Sequence, residues 1–160
     1  MQSKRGQGAT EYLVILGAVL LVALVIVSLL GWFPALGGST KEAQSKSYWT
    51  GATPFSITAF KFGITGDINL SVASRVGDKL NLTMVSLDDG LGGTPLTWSP
   101  NVVYNAGEEK AASTNSALSL CNAATSGSPF EYKTVTFTYT QGGISGIKQT
   151  GARPLSGRCS

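Results

Sequence analysis

Glu11 is the residue with most to explain: a lone carboxylate set immediately before the uncharged run YLVILGAVLLVALVIVSLLGWF, Tyr12 to Phe33. A carboxylate bordering apolar sequence is costly to desolvate and points to a partner. Two roles fit it. It can neutralise an ammonium group, or bond the helix N-terminus, of a neighbouring molecule; or it is an acid near a helix start, favoured there by the dipole. Upstream, Lys4 and Arg5 lead into Gly6-Gln7. Because basic residues precede the run and none follows until Lys41, the N-terminus is expected inside and the bulk of the chain outside.

The other residues capable of chemistry lie on that outer side. Cys121 and Cys159 are the only cysteines, and an even count in an oxidising compartment points to a disulfide. Two free buried thiols are the alternative. Asn69-Leu70-Ser71 and Asn81-Leu82-Thr83 are N-glycosylation acceptor patterns. Strand alternation sets Asn69 and Asn81 on the face opposite Ile68, Leu70, Leu80 and Leu82, turned to solvent. Asp88-Asp89 and Glu108-Glu109 are carboxylate pairs in Gly-containing turns. A calcium site there has the right oxygens, but solvated hairpin tips are the better account of them. The chain has no histidine, which removes the usual general base and the commonest completion of a two-cysteine metal site. In GGISGIK the phosphate-loop spacing is not met, so Gly142, Gly143 and Gly146 read as turn residues. No cofactor, metal site or catalytic constellation is expected, and the chain is not expected to be an enzyme.

These residues need elements to hold them. At ~1.5 Å per residue the apolar run spans about 33 Å, close to the ~30 Å of a bilayer's hydrocarbon core. It is too long for the h-region of an ordinary secretory signal, and no A-x-A-like site follows. Residues 7–33 are therefore expected as one helix, with Trp32 and Phe33 at the outer interface. Gly8, Ala9, Gly17, Ala18 and Ala23 would permit close helix approach. Pro34 and Gly37-Gly38 mark a kink or break. Ser39-Thr40-Lys41-Glu42 reads as a capping box opening a second short helix through about Tyr48. From Thr53 the pattern changes to strands: FSITAFKFGIT, INLSVAS, KLNLTMVSL, PLTWS, NVVY, ALSLC and YKTVTFTYT. KLNLTMVSL shifts phase after Met84, a bulge signal, and turn signals stand at Gly66-Asp67, Val76–Asp78 and Asp88–Gly90. The expected fold is α+β: a long hydrophobic N-terminal helix, then a small antiparallel β-sandwich-like head. Beyond the apolar segment, roughly 110–120 residues remain, enough for one core. The net charge is a modest +3. With no basic stripe after residue 5, no nucleic-acid partner is expected.

The segment KRGQGATEYL resembles the class III signal sequence of archaeal type IV pilins over about the first 30 residues. In that family a basic leader ends in glycine, a prepilin peptidase cuts after it, and the mature chain begins with Gln and carries Glu a few residues in. Gly6, Gln7, Glu11, Tyr12 and Leu13 match those positions; Ala9 departs from a common Ser. The resemblance implies a leader of residues 1–6 and cutting between Gly6 and Gln7. A glycine without a side chain suits a peptidase that must approach the backbone closely. It further implies a filament-core helix over 7–50, kinked near Pro34, and a β-rich outer head over 51–160. Glu11, Tyr12 and Leu13 would serve assembly, with Glu11 meeting the α-ammonium created at Gln7 of a neighbour. The partners implied are identical subunits in a helical filament, the prepilin peptidase, the pilus assembly machinery and, for the precursor, the cytoplasmic membrane. The implied role is structural: a subunit of a surface filament serving adhesion at the cell surface. Two other readings use the same features: a membrane-anchored extracellular binding domain, favoured by an exposed aromatic cluster with Trp49 and Trp98, and an archaellum filament subunit.

Overall fold

The computed structural model describes residues 7–31 and 34–160, with side chains described over 11–26 and 40–160. The chain divides into two compact units, Met1–Ser39 and Thr40–Ser160. Helix α1 runs Gln7–Gly31 and helix α2 Pro34–Gly51; ten strands follow. They are β1 Phe55–Phe62, β2 Asp67–Ser74, β3 Leu80–Asp88, β4 Leu96–Trp98, β5 Val102–Tyr104, β6 Glu109–Asn115, β7 Pro129–Tyr132, β8 Thr134–Gln141, β9 Ile144–Thr150 and β10 Leu155–Arg158.

This corrects the expected α+β architecture. The protein is mostly β, and helix is confined to two separate segments rather than one long hydrophobic element. Among the described residues no helix is long and apolar enough to cross a membrane. Nor is the head two stacked sheets. It has a three-stranded sheet ordered β1-β2-β6, a five-stranded one in which β4 and β5 share one side of β3 and β8-β9 lie on the other, and a two-stranded one of β10 and β7. All the pairings are antiparallel.

The second helix also starts earlier than its capping pattern indicated. Pro34 is its first residue, a position where the missing N–H has no intrahelical partner to lose and φ is already helical. Ser39 and Glu42 therefore fall inside α2 and do not cap it. The expectation for Trp32 and Phe33 lies outside the described residues.

Alternation explains the strands that form. Along β8 Val135, Phe137 and Tyr139 are buried while the intervening threonines are partly exposed. The bulge read from KLNLTMVSL lies between Leu82 and Met84. It lets Leu80 and Leu82, then Val85 and Leu87, all face inward. ALSLC is not a strand. It is a run of turns, with Ser119 N–H bonded to Ser116 O, Asn122 N–H to Ser119 O and Ala124 N–H to Cys121 O.

All three sheets contribute to one core, in which Phe55, Phe62, Leu70, Leu82, Phe137 and Leu155 are buried. Trp49 of α2 enters it with no exposed surface, edge-on to Phe137 at 6.1 Å between ring centroids. Its indole occupies the space a Cβ on Gly151 would take. Ser45 and Tyr48 fix the same helix polar-wise, accepting the N–H of Ser156 at 3.0 Å and of Ala152 at 2.8 Å. The edges of β1 and β9 are joined by a side chain: the Gln149 amide accepts Phe55 N–H at 2.9 Å and donates to Phe55 O at 2.8 Å.

Candidate functional site

Gln7, Glu11, Tyr12 and Leu13 stand on α1, in which leucine and alanine, good helix formers, are mixed with β-branched valine and isoleucine. Gly6 lies outside the described residues; Gln7 is the first residue of α1. Glu11 is exposed, with no hydrogen bond or ion pair among the described residues. Tyr12 and Leu13 are 65% and 63% exposed. The exposure continues without interruption through Val14, Val19, Leu20, Leu24 and Ile26, every one of them more than half open to solvent. The run places apolar side chains on all sides of the helix rather than in a stripe. A helix apolar all round is one that ends up buried, and every described side chain of α1 is exposed.

In the head, Cys121 and Cys159 form a disulfide, both sulfurs in the core. It ties the chain end to the turn-rich loop before β7, where Gly127 N–H bonds Cys159 O and Cys159 N–H bonds Ser128 O. The two glycan acceptors differ. Asn69, in the middle of β2, is exposed; Asn81, in β3, is half-buried and its Oδ1 is covered without a hydrogen-bond partner.

The carboxylates are engaged by neighbouring donors. Asp88 and Asp89 accept the backbone N–H of Gly90 and Leu91 at 2.7 and 2.9 Å. Glu108 takes an ion pair from Lys110 at 2.8 Å and the N–H of Asn105 at 2.9 Å, and these hold its carboxyl below the ordinary value. Glu109 lies in β6 rather than in a turn. Its carboxyl is also held low, first by the Ser71 hydroxyl and then by that of Thr58. No group of three or more Asp, Glu, Cys or His able to hold a metal exists among the described residues. Gly142 and Gly143, both at positive φ, form the two-residue turn between β8 and β9, the type I′ geometry. Gly146, also at positive φ, lies within β9 where the pairing skips a register.

Trp49 and Trp98 do not make an exposed cluster: the first is fully buried and the second packs partly buried against the core.

The sequence reading did not reach two features. One is a cleft of about 160 Å³ between α2 and the segment leading into β10, lined by Lys41, Gln44, Ser45, Glu131, Arg153 and Pro154. The other is Leu91, 80% exposed in the β3–β4 loop, the most exposed large apolar side chain among the described residues. A single leucine in DDGLGG was a signal available for it; the cleft joins residues far apart in the chain and had none.

Compared with protein-family models, with curated proteins and with solved structures, the chain finds no match in any of the three.

Proposed function

We propose that the chain is a structural subunit of an archaeal type IV pilus-like surface filament, cut after Gly6 and assembled through α1. The observation that carries this is the exposure of every described side chain of α1 from Glu11 to Ile26, beside a head that already closes its own core. Apolar area removed from water stabilises by about 25 cal/mol per Å², so a helix left open on all sides gains most by packing against copies of itself. KRGQGATEYL supports the same reading through its likeness to class III signals. In this proposal the precursor waits in the cytoplasmic membrane with its N-terminus inside, the apolar sequence continuing beyond Ile26 to Phe33. The assembled chain stands at the cell surface and serves adhesion. It has no catalytic role and takes no cofactor.

The test is Leu20→Lys in the full-length chain, produced with its own secretion and assembly machinery. A charge in the middle of α1 should abolish filaments seen by electron microscopy while the head keeps its disulfide. Filaments in normal number from that variant would remove α1 from the assembly and overturn the proposal.

A further inference from the structure

The β3–β4 loop is built to hold one apolar side chain outward. Asp88 and Asp89 each use Oδ1 to fix the backbone of the loop they belong to, at Gly90 and Leu91. Gly90 is at φ +71°, and a Cβ on it would stand 2.6 Å from Lys133 Cδ, so the lysine stem supports the loop from beneath. Leu91, at the tip, touches little of its own chain. The two bonds lower the cost of ordering the backbone at Gly90 and Leu91 on binding. The Oδ2 atoms of the two aspartates remain available beside it.

The cleft has complementary character. Pro154 and the stems of Lys41, Gln44 and Arg153 give it an apolar lining, while the Ser45 hydroxyl is engaged in accepting the Ser156 backbone N–H that anchors α2. Lys41 is paired with Glu131 at 3.0 Å. Arg153 has neither a hydrogen-bond nor an ion-pair partner among the described residues, which leaves the cleft with one uncompensated positive charge. A guanidinium is the side chain best shaped to take carboxylate oxygens in pairs.

We propose that Leu91 of one subunit seats in the Lys41–Arg153 cleft of the next, with Asp88 and Asp89 facing Arg153. The occupant is a second copy of this chain, through its β3–β4 loop. The contact joins two different surfaces of the same head, so it is heterologous and propagates in one direction; such contacts give open helical assemblies unless the rotation closes. It rests on the filament reading and adds to it a head-to-head bond independent of α1.

The protein has no free cysteine, which makes cross-linking selective. The full-length chain carrying Leu91→Cys and Gln44→Cys together, assembled and then mildly oxidised, should run as a ladder of dimer, trimer and higher species without reductant. Either substitution alone should give no ladder. Adding Arg153→Glu should cut the cross-linked fraction several-fold. Monomers only, or a dimer with no higher species, from filaments that have assembled would overturn the docking contact and leave the filament reading standing. Should the substituted chain not assemble, carbodiimide coupling of unmodified filaments grown from a mixture of heavy- and light-isotope subunits reads the same contact. A mixed-isotope peptide joining Lys41 to Asp88 or Asp89 supports it; its absence beside other intermolecular links overturns it. An unmodified chain that never assembles removes both proposals.

Discussion

Two residues of identical type and similar sequence context fare differently in the fold. Asn69 and Asn81 both sit in N-x-[ST] patterns on adjacent strands of the sequence, yet Asn69 is exposed and Asn81 half-buried. Asn81 is half covered, and its carbonyl oxygen is closed off without a partner. A glycan needs the exposed site. Asn69→Gln is therefore expected to remove a glycan mass from the surface protein and Asn81→Gln to leave the mass of the glycoform unchanged, as intact-mass spectrometry would read. Alternation placed both asparagines outward; each is flanked by a strand on either side, and alternation had no means of showing that Asn81 is half covered while Asn69 stays exposed. Ionisation behaves similarly. Burial, reinforced by the nearby Glu108 carboxylate, pushes Tyr104 up to about 12 from the ordinary 10.0. The fold thus favours the neutral phenol, so its contribution is complete below pH 10 and is lost as pH rises from there toward about 12. Tyr104→Phe should flatten the alkaline fall in thermal midpoint over that window. On the acid side the sign reverses: the Glu109 carboxyl is held low by Ser71 and Thr58. Its contribution is present above the ordinary 4.5 and is lost as pH falls through the lowered value. Glu109→Gln should make the midpoint less dependent on pH in the acid range.

At the scale of elements, α2 is held to the sheets by one large side chain whose seat is a glycine. Trp49 is fully buried and lies where a Cβ of Gly151 would be. Gly151→Ala should force the indole out and destabilise the head by about 1–3 kcal/mol, the usual range for overpacking. Trp49→Ala should cost about 3–5 kcal/mol. The amide bridge from Gln149 to both backbone groups of Phe55 is the second clasp. Gln149→Ala leaves a partly buried N–H and C=O unpaired, a loss of about 1–3 kcal/mol that urea unfolding would measure. How far these elements can be read from sequence depends on their chemistry. β3 was legible, and the apolar phase shift announced a bulge in it. The bulge lies between Leu82 and Met84 and turns Met84 outward, where the sequence set Met84 on the face of Leu80 and Leu82. β8 was legible because its alternation is clean. β6, EKAASTN, has only Ala112 to bury; it becomes a strand because β2 offers it a free edge, which no local pattern reveals. ALSLC alternates like a strand but is curled by three turn hydrogen bonds and stapled at Cys121. Ser39-x-x-Glu42 looked like a helix start, and lost to Pro34 five residues earlier.

For the whole molecule, the disulfide and the apolar helix act on different problems. Cys121–Cys159 closes a loop spanning a sequence separation of 38, and by restricting the unfolded chain contributes about 3–4 kcal/mol. It also keeps the last residues seated, where Ser160 N–H bonds Phe62 O at 2.9 Å and Ile64 N–H bonds Ser160 O at 3.2 Å. Cys121→Ser with Cys159→Ser should lower the head's unfolding free energy by about that amount, measured in urea, and loosen the chain end first in hydrogen exchange. In the proposed filament, the exposed side chains of α1 and the two heterologous head surfaces would meet other copies of the chain. What the sequence made legible was the Cys121–Cys159 pair, because the chain has only these two cysteines. The cleft at Arg153 and the Leu91 tip appear only once distant segments are brought together. The filament account is tested most directly by mass spectrometry of the N-terminal peptide from filaments sheared off intact cells. A peptide beginning at Gln7 in the high-molecular-weight fraction is the predicted result. An N-terminus at Met1, recovered only with the membranes, would contradict the account and leave an anchored binding domain in its place.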